Sequence, residues 1–117
     1  MKFLIVHHTA FADETLPIQK RKFQCPDLPA EALLDEGFAA DNGMPSALRM
    51  VSQDSRCYSA SVGDVFEIEQ EGAPSKLFIV KACGFGEITR EWFDEKLSGW
   101  FANPARCFWS DLAYSMK

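Results

Sequence analysis

The apolar and polar positions of this chain change period several times, and each change predicts an element. From Phe3 to Thr9 the chain reads Phe-Leu-Ile-Val-His-His-Thr. The apolar, β-branched run predicts a strand buried on both faces. Residues 10–19 carry mixed signals around Pro17, and Phe23-Gln24-Cys25 predicts a short strand ended by Pro26. Asp27 is placed to cap a helix and Pro29 falls in its first turn, where proline is tolerated. Leu33, Leu34 and Phe38 share one helical face, so a helix is predicted over about 28–41, stopped by Asn42-Gly43 and Pro45. Residues 47–51 fit a strand or a helical turn, and Ser52-Gln53-Asp54-Ser55 reads as loop.

The second half is more regular. Phe66 and Ile68 alternate with Glu67 and Glu69, and the apolar run Leu77-Phe78-Ile79-Val80 answers them. The pattern predicts an antiparallel hairpin of 64–70 with 76–82, joined through Gly72-Ala73-Pro74-Ser75. Gly84 and Gly86 flank Phe85 and suggest a bend or bulge. Thr89 can cap a second helix over 89–101, with Trp92, Phe93, Leu97, Trp100 and Phe101 at helical spacings. The aromatic segment 105–117 fits either a strand or a short helix. The order of elements predicts a compact α+β domain over 1–117 with a mostly antiparallel sheet.

Length and composition agree with one domain: 117 residues, 47% hydrophobic, ten of them Phe. The net charge of −5 argues against nonspecific nucleic-acid binding and suits a protein partner with a basic surface. Lys20-Arg21-Lys22 is the basic cluster and reads as a solvated edge. The apolar run after Phe3 is too short for a signal peptide, and no window approaches the roughly 20 apolar residues of a membrane span, so a soluble cytoplasmic protein is expected. Cys25, Cys57, Cys83 and Cys107 follow no metal-ligand spacing. Four reduced thiols are expected, with no metal and no cofactor.

Candidate chemistry is sparse. His7 and His8 are adjacent, so in a strand they face opposite ways and do not share a site easily. Asp64 follows Gly63 just before a strand, where aspartate commonly bonds its own turn. Glu91, Asp94 and Glu95 read as a solvated helix face, and Trp92, Trp100 and Phe101 read as core before they read as a binding hot spot. Gly84 and Gly86 lack the rest of a phosphate-binding fingerprint. Nothing selects a nucleophile with its base, so no enzyme is expected.

The segment Ser59-Ala60-Ser61-Val62-Gly63-Asp64-Val65, the hairpin after it and the closing Gly84-Phe85 resemble the YodL-like small proteins, over residues 56–88. The helix ending Asp41-Asn42-Gly43 resembles the one that precedes the motif there. Cys57-Tyr58 after Arg56 and Ala82-Cys83-Gly84 before Phe85 depart from that pattern, and the aromatic C-terminal third has no counterpart in it. The resemblance implies an accessory protein of plasmids, phages or conjugative elements that acts by protein binding. Inhibitors of host defence, anti-CRISPR proteins included, are often small, acidic and single-domain, which makes such an inhibitor the function expected. Glu67, Glu69 and Glu71, with Trp100 and Trp109, are the expected partner-binding residues. The alternative is a nucleic-acid-binding small barrel of the PUA-like kind, in which a Val-Gly-Asp turn also leads into a hairpin.

Overall fold

A computed structural model describes residues 1–55 and 57–116 of the chain; Arg56, at the head of the Ser59–Val65 motif, and Lys117, at the end of the 105–117 segment, lie outside the described residues. The structure is organised around β1 (Lys2–His8), the strand that the opening apolar run predicts. On one side β1 pairs with β2 (Gln19–Cys25), which pairs with β3 (Arg49–Gln53). On the other side it pairs with β4 (Val65–Gln70), followed by β5 (Ala73–Val80) and β6 (Phe85–Ile88). Every pairing is antiparallel and the order is β3-β2-β1-β4-β5-β6.

Helices cover both faces. On one, α1 (Ala30–Asp41) lays Leu33 and Leu34 onto Leu4, Val6, Phe23, Phe66, Ile68, Phe78 and Val80. On the other, α2 (Arg90–Ala102) and α3 (Phe108–Ser115) bury Phe93, Trp100, Trp109 and Ala113 against Val65, Leu77, Ile79 and Ile88. The chain is thus a single compact α+β domain with an antiparallel sheet, as the element order predicts.

The hairpin forms where the alternation places it, with Phe66 opposite Phe78 and Val65 opposite Ile79. Phe66, Ile68 and Val80 are buried and Val62 is half-buried. The connection is tighter than the glycine-proline run suggests. Gln70 pairs with Ala73, so Glu71 and Gly72 alone make the turn, with Gly72 at φ +79°, and Ala73-Pro74-Ser75 belong to β5. Thr89 does cap α2, its hydroxyl accepting from the Trp92 N–H.

Other boundaries move. Asp27 does not cap α1; the N-cap is Pro29, and Asp27 pairs instead with Lys2 at 3.2 Å. Lys20-Arg21-Lys22 is no solvated edge but the middle of β2, between β1 and β3. Ser52 and Gln53 complete β3 rather than opening a loop. The bend falls at 82–84, with Gly84 at φ +78°, and Phe85-Gly86-Glu87-Ile88 continues from it as an edge strand; the C-terminal segment is helical at α3. The sheet is open, with β3 and β6 at its two ends, so the closed-barrel alternative does not hold.

Two glycines are required by close approach. At Gly37 a Cβ would overlap the Leu4 Cδ2, so its absence lets α1 lie directly on β1. Gly63 has φ +101°, and a Cβ there would meet the Ser110 backbone N at 2.8 Å, which seats the start of α3 on the Val62-Gly63-Asp64 turn.

Phe66→Ala removes a fully buried ring and is expected to cost roughly 3–5 kcal/mol. Gly37→Ala is expected to cost roughly 1–3 kcal/mol through overpacking. Urea unfolding of both variants checks the pair; an effect near zero for either contradicts the packing described.

Candidate functional site

Because β1 is central, its two histidines enter opposite layers, and each meets a carboxylate there. His7 points toward α2, where its ring meets Phe93 edge-on at 5.3 Å. Its Nε2–H donates to Glu67 Oε1 at 2.9 Å, and Arg90, the first residue of α2, donates to Glu67 Oε2 at 2.6 Å. Burial pushes His7 below its ordinary value of 6.5, so the imidazole is neutral and serves as a donor. The His7 hydrogen bond, opposed by burial and helped by Arg90, holds the Glu67 carboxyl down at about 2.

His8 points the other way, toward the C-terminal end of α1. Its Nε2 lies 3.2 Å from Oδ1 and 3.1 Å from Oδ2 of Asp41, the last residue of α1. Arg21 Nη1 donates to the same carboxylate at 2.8 Å and to the Asp41 carbonyl at 3.0 Å. A cation on the last carbonyl of a helix complements the negative end of its dipole. His8 Nδ1 accepts the Tyr58 N–H at 3.0 Å. A backbone N–H can only donate, so Nδ1 carries the lone pair and Nε2 the proton. The partners therefore dictate a neutral Nε2–H imidazole.

Asp64 holds the adjoining turn. Its Oδ1 accepts from Ala10 N–H and its Oδ2 from Ser61 N–H, both at 2.9 Å, while the Thr9 hydroxyl donates to the Gly63 carbonyl. The turn role expected of this aspartate is what its contacts show, extended by a cross-link to the end of β1. Burial pushes its carboxyl up to about 6, with those two amides pulling the other way.

Beside the His8 cluster opens a cleft of about 590 Å³ between the end of α1, β2, β3 and residues 57–59. Arg21 and Asp41 line its floor, with Phe23 and Leu48; Met44, Met50 and Tyr58 form its rim. These rim residues are 62%, 49% and 51% exposed. Cys57 also lines the cleft, but burial raises its thiol and its Sγ contacts the Lys20 carbonyl at 3.4 Å. Both nitrogens of His8 are engaged, so the pair has no nucleophile–base arrangement. Among the described residues no three of His, Cys, Asp and Glu gather to hold a metal ion, and the four cysteines are free thiols. No helix among them is long and apolar enough to cross a membrane.

The partner-binding residues expected from the sequence do not share a surface. Glu67 is buried in the His7–Arg90 cluster, and Trp100 and Trp109 lie in the core beneath α2 and α3. Glu69 is half-buried, 3.5 Å from Lys22, and Glu71 is exposed at the hairpin tip. Glu67 misled because strand alternation says which face a residue takes and not what covers that face. The exposed acids with an exposed aromatic lie instead on the outer side of α2, at Glu91, Asp94, Glu95 and Phe101. The sequence alone gives Arg21, Asp41 and Tyr58 no site role, because each has its partner 20 to 50 positions away. No family model, curated protein or solved structure matches the chain.

Glu67 titrates lower folded than unfolded, so between its ordinary 4.5 and about 2 the unfolded chain holds more protons. Its contribution is therefore complete above pH 4.5 and is lost as pH falls toward 2. Glu67→Gln is expected to cost about 1–3 kcal/mol at pH 7 and to flatten the acid limb in that window. Denaturant titrations from pH 7 to 2 check it; an unchanged limb contradicts the assignment. Asp41→Asn turns an amide donor toward His8 or Arg21 and is expected to cost roughly 3–5 kcal/mol. Hydrogen exchange at the Tyr58 amide, faster in the variant, is the accompanying readout; an unchanged rate there argues against the cluster.

Proposed function

We propose that this chain is a protein-binding accessory factor that receives a partner polypeptide in the cleft between α1 and β3. The observation that carries the reading is the clustering of exposed Met44, Met50 and Tyr58 around a floor held by the Arg21–Asp41 ion pair. Contiguous exposed apolar side chains mark interaction surfaces on small domains. Methionine adapts to a partner's shape, and tyrosine supplies a rigid amphipathic anchor. The resemblance of residues 56–88 to YodL-like proteins supports an accessory role on a mobile element, with inhibition of a host defence complex as the activity proposed.

A second reading keeps the partner with a basic surface and places it on α2. Its support is Phe101, 67% exposed, on the same outer side as Glu91, Asp94 and Glu95. The T-shaped contact of Phe101 with buried Trp100, 5.0 Å between ring centres, anchors the exposed ring. The two readings differ in salt response. An acidic face loses its attraction as the screening length falls to about 10 Å at 0.1 M and below, whereas an apolar cleft loses little.

Affinity capture from the native host separates them. Met44→Glu with Met50→Glu is expected to lower partner capture by about tenfold or more, a loss of about 1.4 kcal/mol of binding, with the melting temperature nearly unchanged. Phe101→Ser with Glu95→Lys is expected to leave capture intact. The reverse pattern transfers the site to α2, and capture abolished by nuclease ends both readings in favour of nucleic acid.

A further inference from the structure

We infer that the occupant of the cleft is an extended polypeptide strand, apolar on one side and acidic on the other, that adds to the sheet along β3; this rests on the docking reading above. All five residues of β3 are exposed, and among the described residues the strand pairs only with β2. Its outer backbone edge is therefore free of any neighbouring strand. Natural edges are commonly blunted by very short strands, proline, charged side chains or bulges, and β3 has one charge, Arg49, and one bulge against β2. The opposite edge is blunted, since β6 has four residues with Gly86 among them. β3 reads Arg-Met-Val-Ser-Gln and carries neither proline nor lysine.

The two faces of β3 differ in chemistry, which defines the two faces of the guest. Met50 stands opposite Phe23 of the α1-side core, and with Gln53 it lines the cleft. An added strand would turn every second side chain toward Met50, Met44 and Tyr58, so these positions are apolar. Arg49 stands opposite Gln24 and donates to its Oε1 at 2.8 Å. Lys22 lies over the Phe3 ring, 4.5 Å from its centre, and Lys20 stands two residues before it on the same strand.

The carboxylates near this basic group are few. Glu69 is 3.5 Å from Lys22, and Asp54 accepts the Lys20 backbone N–H. Among the described residues the side chains of Arg49 and Lys20 have no ion-pair partner, in a chain of net charge −5. The local charge is thus opposite to that of the molecule. It selects carboxylates at the alternate positions of the guest. The β-bulge between Lys22 and Phe23 leaves Val51 without a partner on β2 and bends β3 away from it. The bulge places the exposed valine at the centre of the free edge.

The test titrates the full chain with fluorescent blocked peptides of about ten residues, the upper length of an ordinary strand. One alternates Val and Glu, one has the same composition in two blocks, and one alternates Val and Lys. A short oligothymidylate is the nucleic-acid arm. The alternating Val/Glu peptide is expected to saturate the protein and to bind at least about tenfold more tightly than the others. Hydrogen exchange should slow at residues 49–53 in that complex. Lys20→Glu with Arg49→Glu should weaken it by a similar factor while keeping the melting temperature. Equal binding of the block peptide, preference for Val/Lys or oligothymidylate, or protection away from β3 overturns the proposal. So does protection of β3 that grows with protein concentration alone, which would make a second copy the occupant. Absence of peptide binding, with host capture still lost in the Met44/Met50 variant, ends strand addition and leaves the docking reading standing. Failure of both ends both.

Discussion

The structure depends on what happens when two histidines sit side by side in the central strand of a sheet covered on both faces. Strand geometry sends His7 and His8 into opposite layers, where each imidazole must find a polar partner because burial without one costs roughly 1–3 kcal/mol. Each finds a carboxylate that is also held by an arginine. His7, Glu67 and Arg90 tie the sheet to the first residue of α2. His8, Asp41 and Arg21 tie it to the last residue of α1, and the free nitrogen of His8 takes in the backbone of Tyr58. A dipeptide thereby fixes one end of each of two helices. Hydrophobic burial drives both layers onto the sheet, but it is nearly indifferent to sliding. The directional contacts of the two clusters fix the end of α1 and the start of α2 against the sheet.

The cleft inherits this rigidity on its floor and at the Tyr58 backbone, and lacks it at the two rim methionines. Arg21, Asp41 and Tyr58, all fixed through the His8 cluster, are also cleft residues. The rim is built from the side chains of Met44, Met50 and Tyr58; the two methionines adapt in shape, while the tyrosine is held by its backbone. A fixed polar floor under an adaptable apolar rim, beside an unpaired strand edge, suits recognition of extended backbone by hydrogen bonds together with alternate side chains. The raised Cys57 thiol and the fully engaged His8 ring leave the same cleft without an activated nucleophile at those residues.

The sequence discloses those features that local spacing controls. The β4–β5 hairpin, α2 with its Thr89 cap, and the body of α1 all follow from period and turn chemistry. Boundaries slip where tertiary pairing overrides local preference. Lys20-Arg21-Lys22 looks solvated as a tripeptide but becomes a strand because β1 and β3 supply partners on both sides. The bend that Gly84 and Gly86 suggest ends at Gly84, and Phe85–Ile88 extends because β5 offers an edge. The site is hidden for the same reason. That Glu67 would be buried follows from α2 lying over it, and that Arg21 would meet Asp41 follows from α1 ending above β2. Neither is visible in a strand pattern. The adjacent histidines were the available signal: two ionisable rings in a strand predicted to be buried on both faces demand two buried partners.

The nitrogen resonances of the His8 ring test the account most directly. In uniformly ¹⁵N-labelled protein at neutral pH, His8 is expected to show a single neutral Nε2–H tautomer, with a through-hydrogen-bond coupling between its Nδ1 and the Tyr58 amide nitrogen. That result would direct the Nε2 proton of His8 at Asp41 and its Nδ1 lone pair at the Tyr58 N–H, as the cluster requires. An imidazolium, an Nδ1–H tautomer, or the absence of coupling to Tyr58 would show that the residue does not join α1 to the loop that walls the cleft.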